Sequence, residues 1–471
     1  MPEKYHIKTS PTPPRFQRIG KFATVDWRED CSRCTNCVKL RCTYNVYDSS
    51  MAHDRNPQAP RRPLFECKGC MSCVQGCTKG LLSLSVNPEY LAMGDEYWRP
   101  EILTTTWDQA ETGRIPVSGA GYRGRFSAPG FDSIWTDMSE IVRPTRDGIH
   151  GREYISTAVD IGPKPMRLEF SPDGAMLTPE ASLIVAQLPV ILDVPQWSMA
   201  GSSEPLSQAR AASAAALKTL AVVSSGELSR IPPKQMPSVV PLLEGVSGGV
   251  AAKLPGGVRM VEVADEEGAA ETLRAVSASR PEVTLCVRMP LADHSAERVL
   301  HWSQAGVKVF HLCADLHGCE VGPARPRHIK DAVRALHCRL VEAGVRDEIT
   351  VIVGGGIALA EHVAKAIICG ADVVSADTAL LVGLGCTVCG DCGHGKANGS
   401  WGRSCPVVID ESAAAYAAGR MINLLGAWHS QLIEVLGAMG IREMRRLRGE
   451  TGRAIFREDM EREAFGDLIR K

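Results

Sequence analysis

The sequence lacks several features that would narrow its function at once. Its 53 Lys and Arg nearly cancel its 54 Asp and Glu, leaving a formal net charge of -1. No global field therefore draws it to nucleic acid or to an anionic membrane, and any partner must be recognised locally. No stretch approaches the roughly 18 consecutive apolar residues of a membrane span. The opening residues, MPEKYHIKTSPTPPRF, carry no apolar segment of the kind a secretory signal needs. These absences lead us to expect a cytoplasmic protein with no membrane span and no nucleic-acid partner.

What is abundant is cysteine. Seventeen cysteines in a chain of 471 residues, without a secretory signal and grouped as C-x-x-C, point to metal rather than disulfides. An apolar fraction of 44% with 23% charged residues is ordinary for a globular protein with a sizeable core. Residues 1–25, rich in proline and polar groups, read as an arm lying on the surface. Residues 26–88 hold the first cysteine group, and 89–184 read as an irregular connector packed on its neighbour. From about 185 to 410, short β-branched runs alternate with Ala- and Leu-rich helical stretches, the pattern of repeated βα units. Residues 411–471 read as a helical tail containing a basic stretch, Arg442 to Arg448, expected as a solvated helix face.

Eight strands are expected within the repeat region: Leu188 to Asp193, Leu220 to Ser224, Ser238 to Leu242, Arg259 to Val263, Thr284 to Arg288, Lys308 to Leu312, Thr350 to Val353 and Asp372 to Ser375. Eight parallel strands close a TIM barrel. The fold class is thus α/β, a (β/α)8 TIM barrel with an N-terminal ferredoxin-like two-cluster module and a C-terminal helical tail. The acids Asp265, Glu266 and Glu267 suit a helix N-terminus.

Cys31, Cys34, Cys37 and Cys42 are spaced C-x2-C-x2-C-x4-C, and Cys67, Cys70, Cys73 and Cys77 C-x2-C-x2-C-x3-C. In two-cluster ferredoxins three cysteines of each run bind one cluster and the fourth reaches across to the other. Cys31, Cys34, Cys37 and Cys77 are assigned to one 4Fe-4S cluster, and Cys67, Cys70, Cys73 and Cys42 to a second. Structural zinc is the competing reading, but zinc uses C-x-x-C in pairs and has no role for the third cysteine at that spacing. A third group, Cys386, Cys389 and Cys392 with the remote Cys405 before Pro406, again suits an iron–sulfur cube, with zinc as the alternative.

In TIM barrels the active site lies at the C-terminal ends of the strands, and a phosphate commonly sits between the loops after strands seven and eight. Gly354, Gly355 and Gly356 follow strand seven, and Asp377, Thr378 and Ala379 follow strand eight. Glycines and a helix start let backbone N–H groups approach phosphate oxygens. Asp377 would repel a phosphate unless it turned away. Arg288, ending strand five, is a cation able to stabilise an anionic reduced flavin, or else the partner of a neighbouring strand-end acid. Asp315, His317, Cys319 and Glu320, after strand six, offer an acid, a base and a thiol to the barrel mouth. Cys286, Cys313, Cys338 and Cys369 read as buried packing residues.

These residues, with Tyr97-Trp98-Arg99-Pro100-Glu101, Gly370-Ala371-Asp372, Leu384-Gly385-Cys386 and the tail segment Leu436-Gly437-Ala438-Met439-Gly440-Ile441, resemble the FMN-binding domain of glutamate synthase. The likeness is to the short archaeal-type form with a ferredoxin module. It implies FMN in the barrel, an adjacent iron–sulfur cluster of 4Fe-4S or 3Fe-4S type, and reduction of 2-oxoglutarate plus ammonia to glutamate. By resemblance Arg288 takes the place of a lysine near the flavin, Gly355, Gly356, Thr378 and Ala379 hold its phosphate, and Cys386, Cys392 and Cys405 bind the third cluster. Glu227 belongs to a shortened form of the family's glycine-rich loop after strand two, and the family's loop after strand six is replaced by Ala314-Asp315-Leu316-His317-Gly318.

Two functions are expected in competition. One is an iron–sulfur flavoprotein that passes electrons through its clusters to FMN for reduction of an imine or related substrate. The other is an electron-transfer subunit of a larger redox complex whose barrel has lost flavin or the family substrate. An external electron donor protein or partner redox subunit is required in both. No glutaminase domain is expected in the chain, so ammonia is expected to come free or from another subunit, and the chain is expected to work within an oligomer or complex.

Overall fold

The computed structural model describes residues 5–16, 18–27, 41–43, 67, 69–115, 130–136, 155–165, 167–177, 183–195, 203–244, 254–391 and 405–469. They fall into two compact units, one formed by 1–13, 106–386 and 390–471, the other by 14–105 and 387–389.

The first unit is built on eight parallel strands: β1 (Val190–Leu192), β2 (Ala221–Ser224), β3 (Val239–Leu243), β4 (Met260–Ala264), β5 (Thr284–Pro290), β6 (Val309–Cys313), β7 (Thr350–Gly354) and β8 (Val373–Ala376). Each pairs with the next, and β8 returns to β1 through Val374 and Val190, closing the barrel. Both faces of such strands are covered, which is why they read as unbroken Val, Ile and Leu runs rather than alternating ones. Helices Glu204–Ala216, Ala269–Ser279, Ser295–Gln304, Ile329–Glu342 and Ala360–Ile368 cover the outside. Two 3-10 turns, Ser225–Arg230 and Pro233–Ser238, replace a helix between β2 and β3. The prolines at 232, 233 and 237 leave too few backbone donors for a regular α-helix there.

Additional segments of the chain complete this unit. Strand Val159–Ile161 pairs antiparallel with Ile184–Ala186, and Ile134–Thr136 with Ala454–Phe456. The 25-residue helix Ala414–Ala438 packs against helix Glu204–Ala216. Part of the N-terminal arm lies along it: Asn423 donates to Ser10 O at 2.8 Å, and Gly426 leaves room for Thr9 and Ile7. Below the barrel, at the N-terminal end of β8, buried Asp372 accepts from Lys164 (3.0 Å), Arg346 (2.7 Å) and Arg448 (3.2 Å). Burial opposes ionisation of this carboxyl, but the three cations hold it well below the usual carboxylate range.

Three expectations are corrected. The basic stretch Arg442 to Arg448 is not a solvated helix face. Met444–Leu447 is a 3-10 turn with Met444 and Leu447 buried, while Arg445 pairs with Asp160 and Arg448 with Asp347 and Asp372. Asp265 does not start a helix. It follows β4 and accepts from Arg298 Nε and Trp302 Nε1, both at 3.0 Å, and the helix begins at Ala269 after a left-handed Gly268. The stretch read as irregular contains a regular helix, Pro100–Thr112, whose proline suits the first turn.

In the second unit Phe22–Trp27 pairs antiparallel with Leu82–Val86. Buried Leu82 packs with Val74, Leu84, Cys73 and Cys77. Asn87 caps helix Pro88–Leu91 by accepting from Glu89 N and donates to Gly20 O at 3.2 Å.

Candidate functional site

The cysteine loops of the second unit turn tightly because residues between successive cysteines adopt left-handed backbone. Gly69 (φ 66°) precedes Cys70 and Met71 (φ 62°) follows it. A left-handed non-glycine residue is held by its surroundings at a cost. Burial and the nearby Cys67 and Cys42 thiols push the Cys73 thiol upward. Cys77 is the reverse case: Leu81 N donates to its Sγ at 3.4 Å, and with further amides of that turn it lowers the thiol. Cys70 is lowered by Ser72. Cys31, Cys34, Cys37 and Cys392 lie outside the described residues. Around Cys386 and Cys389 the backbone repeats the device, with Gly385 at φ 111°, Val388 at 52° and Gly390 at 80°. No disulfide joins Cys42, Cys67, Cys70, Cys73, Cys77, Cys386, Cys389 or Cys405.

At the C-terminal ends of the barrel strands opens a cavity of about 460 Å³. Its lining includes Asp193, Arg288, Cys313, Asp315, His317, Gly354, Gly355 and Asp377. Arg288 is brought there by β5, whose register sets it beside His311 on β6 and sets Cys286 beside Glu262 on β4. Its guanidinium is already engaged. Nη1 donates to Asp193 Oδ1 (3.1 Å) and Glu262 Oε2 (3.1 Å), and Nη2 to Asp193 Oδ2 (2.8 Å). His311 lies 2.8 Å from Glu262 through Nδ1 and 2.8 Å from Ser375 Oγ through Nε2. All four ionisable groups are buried, Glu262 and His311 at 0% exposure and Asp193 and Arg288 at 4% and 6%. Burial opposes every one of these charges, yet the opposite charges win. Asp193 and Glu262 are held below the usual carboxylate range, Arg288 well above its ordinary value, and His311 is raised to about 10 by Cys313 and Glu262. Two acids and two cations balance in charge, while Arg288 Nε is buried without a hydrogen-bond partner.

Asp315 folds the loop after β6 by accepting from His317 N (2.9 Å) and Cys319 N (2.7 Å). That loop lies on the glycines after β7. A Cβ on Gly355 would come within 2.5 Å of Ala314 O, and one on Gly356 within 2.4 Å of Gly318 N. Thr378 and Ala379 are fully buried. Asp377 caps their short helix, its side chain accepting from Thr378 N. Burial and, after it, the charge of Asp193 raise the Asp377 carboxyl to about 6, against the pull of the Thr378 amide.

Glu227 and Glu320 stand outside the cavity lining. Glu227 accepts from Ser207 Oγ, and Glu320 holds Arg327 with bonds of 2.6 and 3.0 Å. Three residues of the Arg288 network were missed in the sequence: Asp193, Glu262 and His311. Their signal was present, since a charged or ionisable residue inside an unbroken apolar strand needs a buried partner. Cys313, expected as packing, lines the cavity, with its sulfur within 4.8 Å of ligand atoms of Asp193 and His311.

A closed βα barrel with polar side chains gathered at the C-terminal ends of its strands defines a TIM-barrel enzyme. Residues 328–442 match the family model described as the conserved region in glutamate synthase. The chain is also 26% identical to the archaeal-type glutamate synthase [NADPH] of Thermotoga maritima, over 89% of this chain and 91% of the relative. It is 25% identical to the archaeal glutamate synthase [NADPH] of Archaeoglobus fulgidus, over 94% and 96%. The corresponding values for the Methanocaldococcus jannaschii protein are 26%, 76% and 81%. Over most of its length the chain is thus similar to archaeal-type glutamate synthases, which supports a glutamate synthase-like oxidoreductase.

The residues that by resemblance would hold an FMN phosphate do not fit it. The Thr378 amide is taken by Asp377, the glycines after β7 are covered by 314–318, and Arg288 is neutralised by two acids. Among the described residues no helix is long and apolar enough to cross a membrane.

Proposed function

We propose that this chain carries electrons through iron–sulfur clusters within a glutamate synthase-like redox assembly. Electrons from an external donor protein or partner redox subunit enter two 4Fe-4S clusters, one held by Cys31, Cys34, Cys37 and Cys77, the other by Cys67, Cys70, Cys73 and Cys42. They pass to a third cluster, 4Fe-4S or 3Fe-4S, held by Cys386, Cys389, Cys392 and Cys405. The observation that carries this reading is the tight left-handed turn at Gly69 and Met71, which keeps Cys67, Cys70 and Cys73 on one short arc of chain with no disulfide among them or to Cys42. Cys42 comes from the first cysteine run, and only a crossed two-cluster arrangement asks it to join the second. The amide bond to Cys77 Sγ favours the same reading, because backbone donors stabilise sulfur that carries negative charge.

The electrons serve reduction of an imine or related substrate; in the family, 2-oxoglutarate and ammonia become glutamate. The barrel mouth favours an electron-transfer role over flavin chemistry inside this chain, because Arg288 has no charge to spare. Asp315 and His317 stand at the cavity as a proton-handling pair, while Glu227 serves the turn after β2.

Iron and acid-labile sulfide per chain, measured after anaerobic purification and reconstitution, test the proposal. Three clusters require about twelve irons, or about eleven with a 3Fe-4S third site. Replacing Cys42 by serine should remove the spectroscopic signature of one 4Fe-4S cluster only. Stoichiometric zinc in place of iron would sink the reading.

A further inference from the structure

The barrel mouth departs from an anion site at one residue, and the departure has a consequence for cofactor content. A phosphate in a TIM barrel is held by the loops after strands seven and eight, through free backbone N–H groups and the start of a short helix. Here that helix, Thr378–Gly383, begins with its first amide already bonded to a carboxylate, the side chain of its own N-cap Asp377. A carboxylate oxygen, like a phosphate oxygen, offers the amide an anionic acceptor.

The second half of the cradle is packed against backbone on one side. Gly355 and Gly356 adopt φ of 90° and 65°, as a loop that wraps a phosphate would, but what approaches their Cα atoms is backbone: Ala314 O, Asp315 O and Gly318 N. Gly354 and Gly355 reach the cavity lining; Gly356, Thr378 and Ala379 do not. A dianionic ligand placed there would face Asp193, Asp315 and Asp377 around one cavity. Arg288, the cation among the lining residues, is bonded to Asp193 and Glu262.

We propose that the Asp377 carboxylate stands in for the cofactor phosphate in this barrel, so that the mouth no longer selects FMN and admits only ligands without a phosphate group. This deepens the electron-transfer reading by explaining why the wire does not end on a flavin within the chain. It rests on the barrel's correspondence to the family's FMN domain and not on the cluster assignment, so iron content and flavin content can fail separately.

The test compares FMN with riboflavin, which is the same isoalloxazine and ribityl chain without the phosphate. Binding is followed by quenching of flavin fluorescence at pH 8 on the anaerobically prepared full chain, alongside flavin content of the protein as purified. The wild-type chain should purify without stoichiometric flavin and should bind FMN no more tightly than riboflavin. Asp377→Gly, which frees the Thr378 amide and removes the charge, should raise the ratio of FMN to riboflavin affinity tenfold or more. Asp377→Asn keeps the helix cap while removing the charge, and should raise the ratio by a smaller factor even if the glycine variant folds poorly. One FMN per wild-type chain, or wild-type FMN binding at least tenfold tighter than riboflavin binding, would overturn the proposal. So would an unchanged ratio in a folded Asp377→Asn or Asp377→Gly protein, since another group would then control the phosphate site.

Discussion

Replacing Arg288 by methionine should unfold the barrel more easily than any surface substitution, and the size of the effect follows from the charges around it. Asp193, Glu262, Arg288 and His311 are buried together and bonded at 2.8 to 3.1 Å. With His311 protonated the four sum to zero. Methionine preserves much of the side-chain volume but leaves two carboxylates facing one imidazolium where exposure does not exceed 4%. Breaking a buried ion pair from one side costs about 3–5 kcal/mol, because the orphaned charge is desolvated without compensation. At about 2–4 °C per kcal/mol for a unit of this size, the melting temperature should fall by roughly 6–20 °C. Urea unfolding read by far-ultraviolet circular dichroism at pH 6 measures the loss directly. Arg288→Lys should lie between the two, because an ammonium cannot bond both oxygens of Asp193 and reach Glu262 as the planar fork does. A methionine variant within about 1 kcal/mol of wild type would refute the network as a source of stability.

His311 gives the same network a pH signature. Its folded value, about 10, lies above the unfolded value near 6.5. Its contribution is therefore complete below about pH 6.5 and is lost as pH rises toward 10. Asp193 and Glu262 are shifted down, so theirs is present above about pH 4.5 and lost as pH falls through their folded values. His311→Gln should flatten the alkaline limb of a stability–pH curve and leave the acid limb in place.

Other substitutions probe the surrounding parts. Gly355→Ala should cost more than about 2 kcal/mol in urea unfolding, because Gly355 sits at φ 90° and an added Cβ would meet Ala314 O at 2.5 Å. Asp372→Ala should cost about 3–5 kcal/mol by leaving Lys164, Arg346 and Arg448 together, whereas Asp160→Ala, breaking the more exposed pair with Arg445, should cost under about 1 kcal/mol. The Asp377 carboxyl is raised to about 6, so its contribution is lost as pH rises from about 4 through 6. Asp377→Asn should stabilise the chain at pH 8 by up to about 3 kcal/mol and change little at pH 4; equal effects at both would contradict the assigned shift.

Much of the fold was readable because parallel barrel strands are buried on both faces. The unbroken runs at 188–193 and 350–353 became β1 and β7, within two residues at each end. The left-handed backbone at Gly69, Met71 and Val388 accompanies spacing motifs that are local by nature. The mouth was less legible. Arg288 carried two readings in the sequence, flavin partner and ion-pair partner, and its bonds to Asp193 and Glu262 join residues separated by 95 and 26 positions. Pattern along the chain does not report such pairings; barrel register does. For the same reason the ion-pair partners of the arginines at 445 and 448, namely Asp160, Asp347 and Asp372, come from other segments and are not visible in the basic stretch itself.

The sequence by itself determined the eight strands, their order and the cysteine groupings, because periodicity and short-range spacing are properties of neighbouring residues. It also carried the family likeness, in glycine and cysteine motifs at the barrel's later loops. Only the tertiary structure decided what those motifs do here. Closure of the barrel brought Asp193, Glu262 and His311 onto Arg288 and spent its charge, and the turn after β8 put the Asp377 carboxylate on the Thr378 amide. Charge at a buried site is settled by what lies across the barrel, and those distances are set by the packing of strands far apart in sequence.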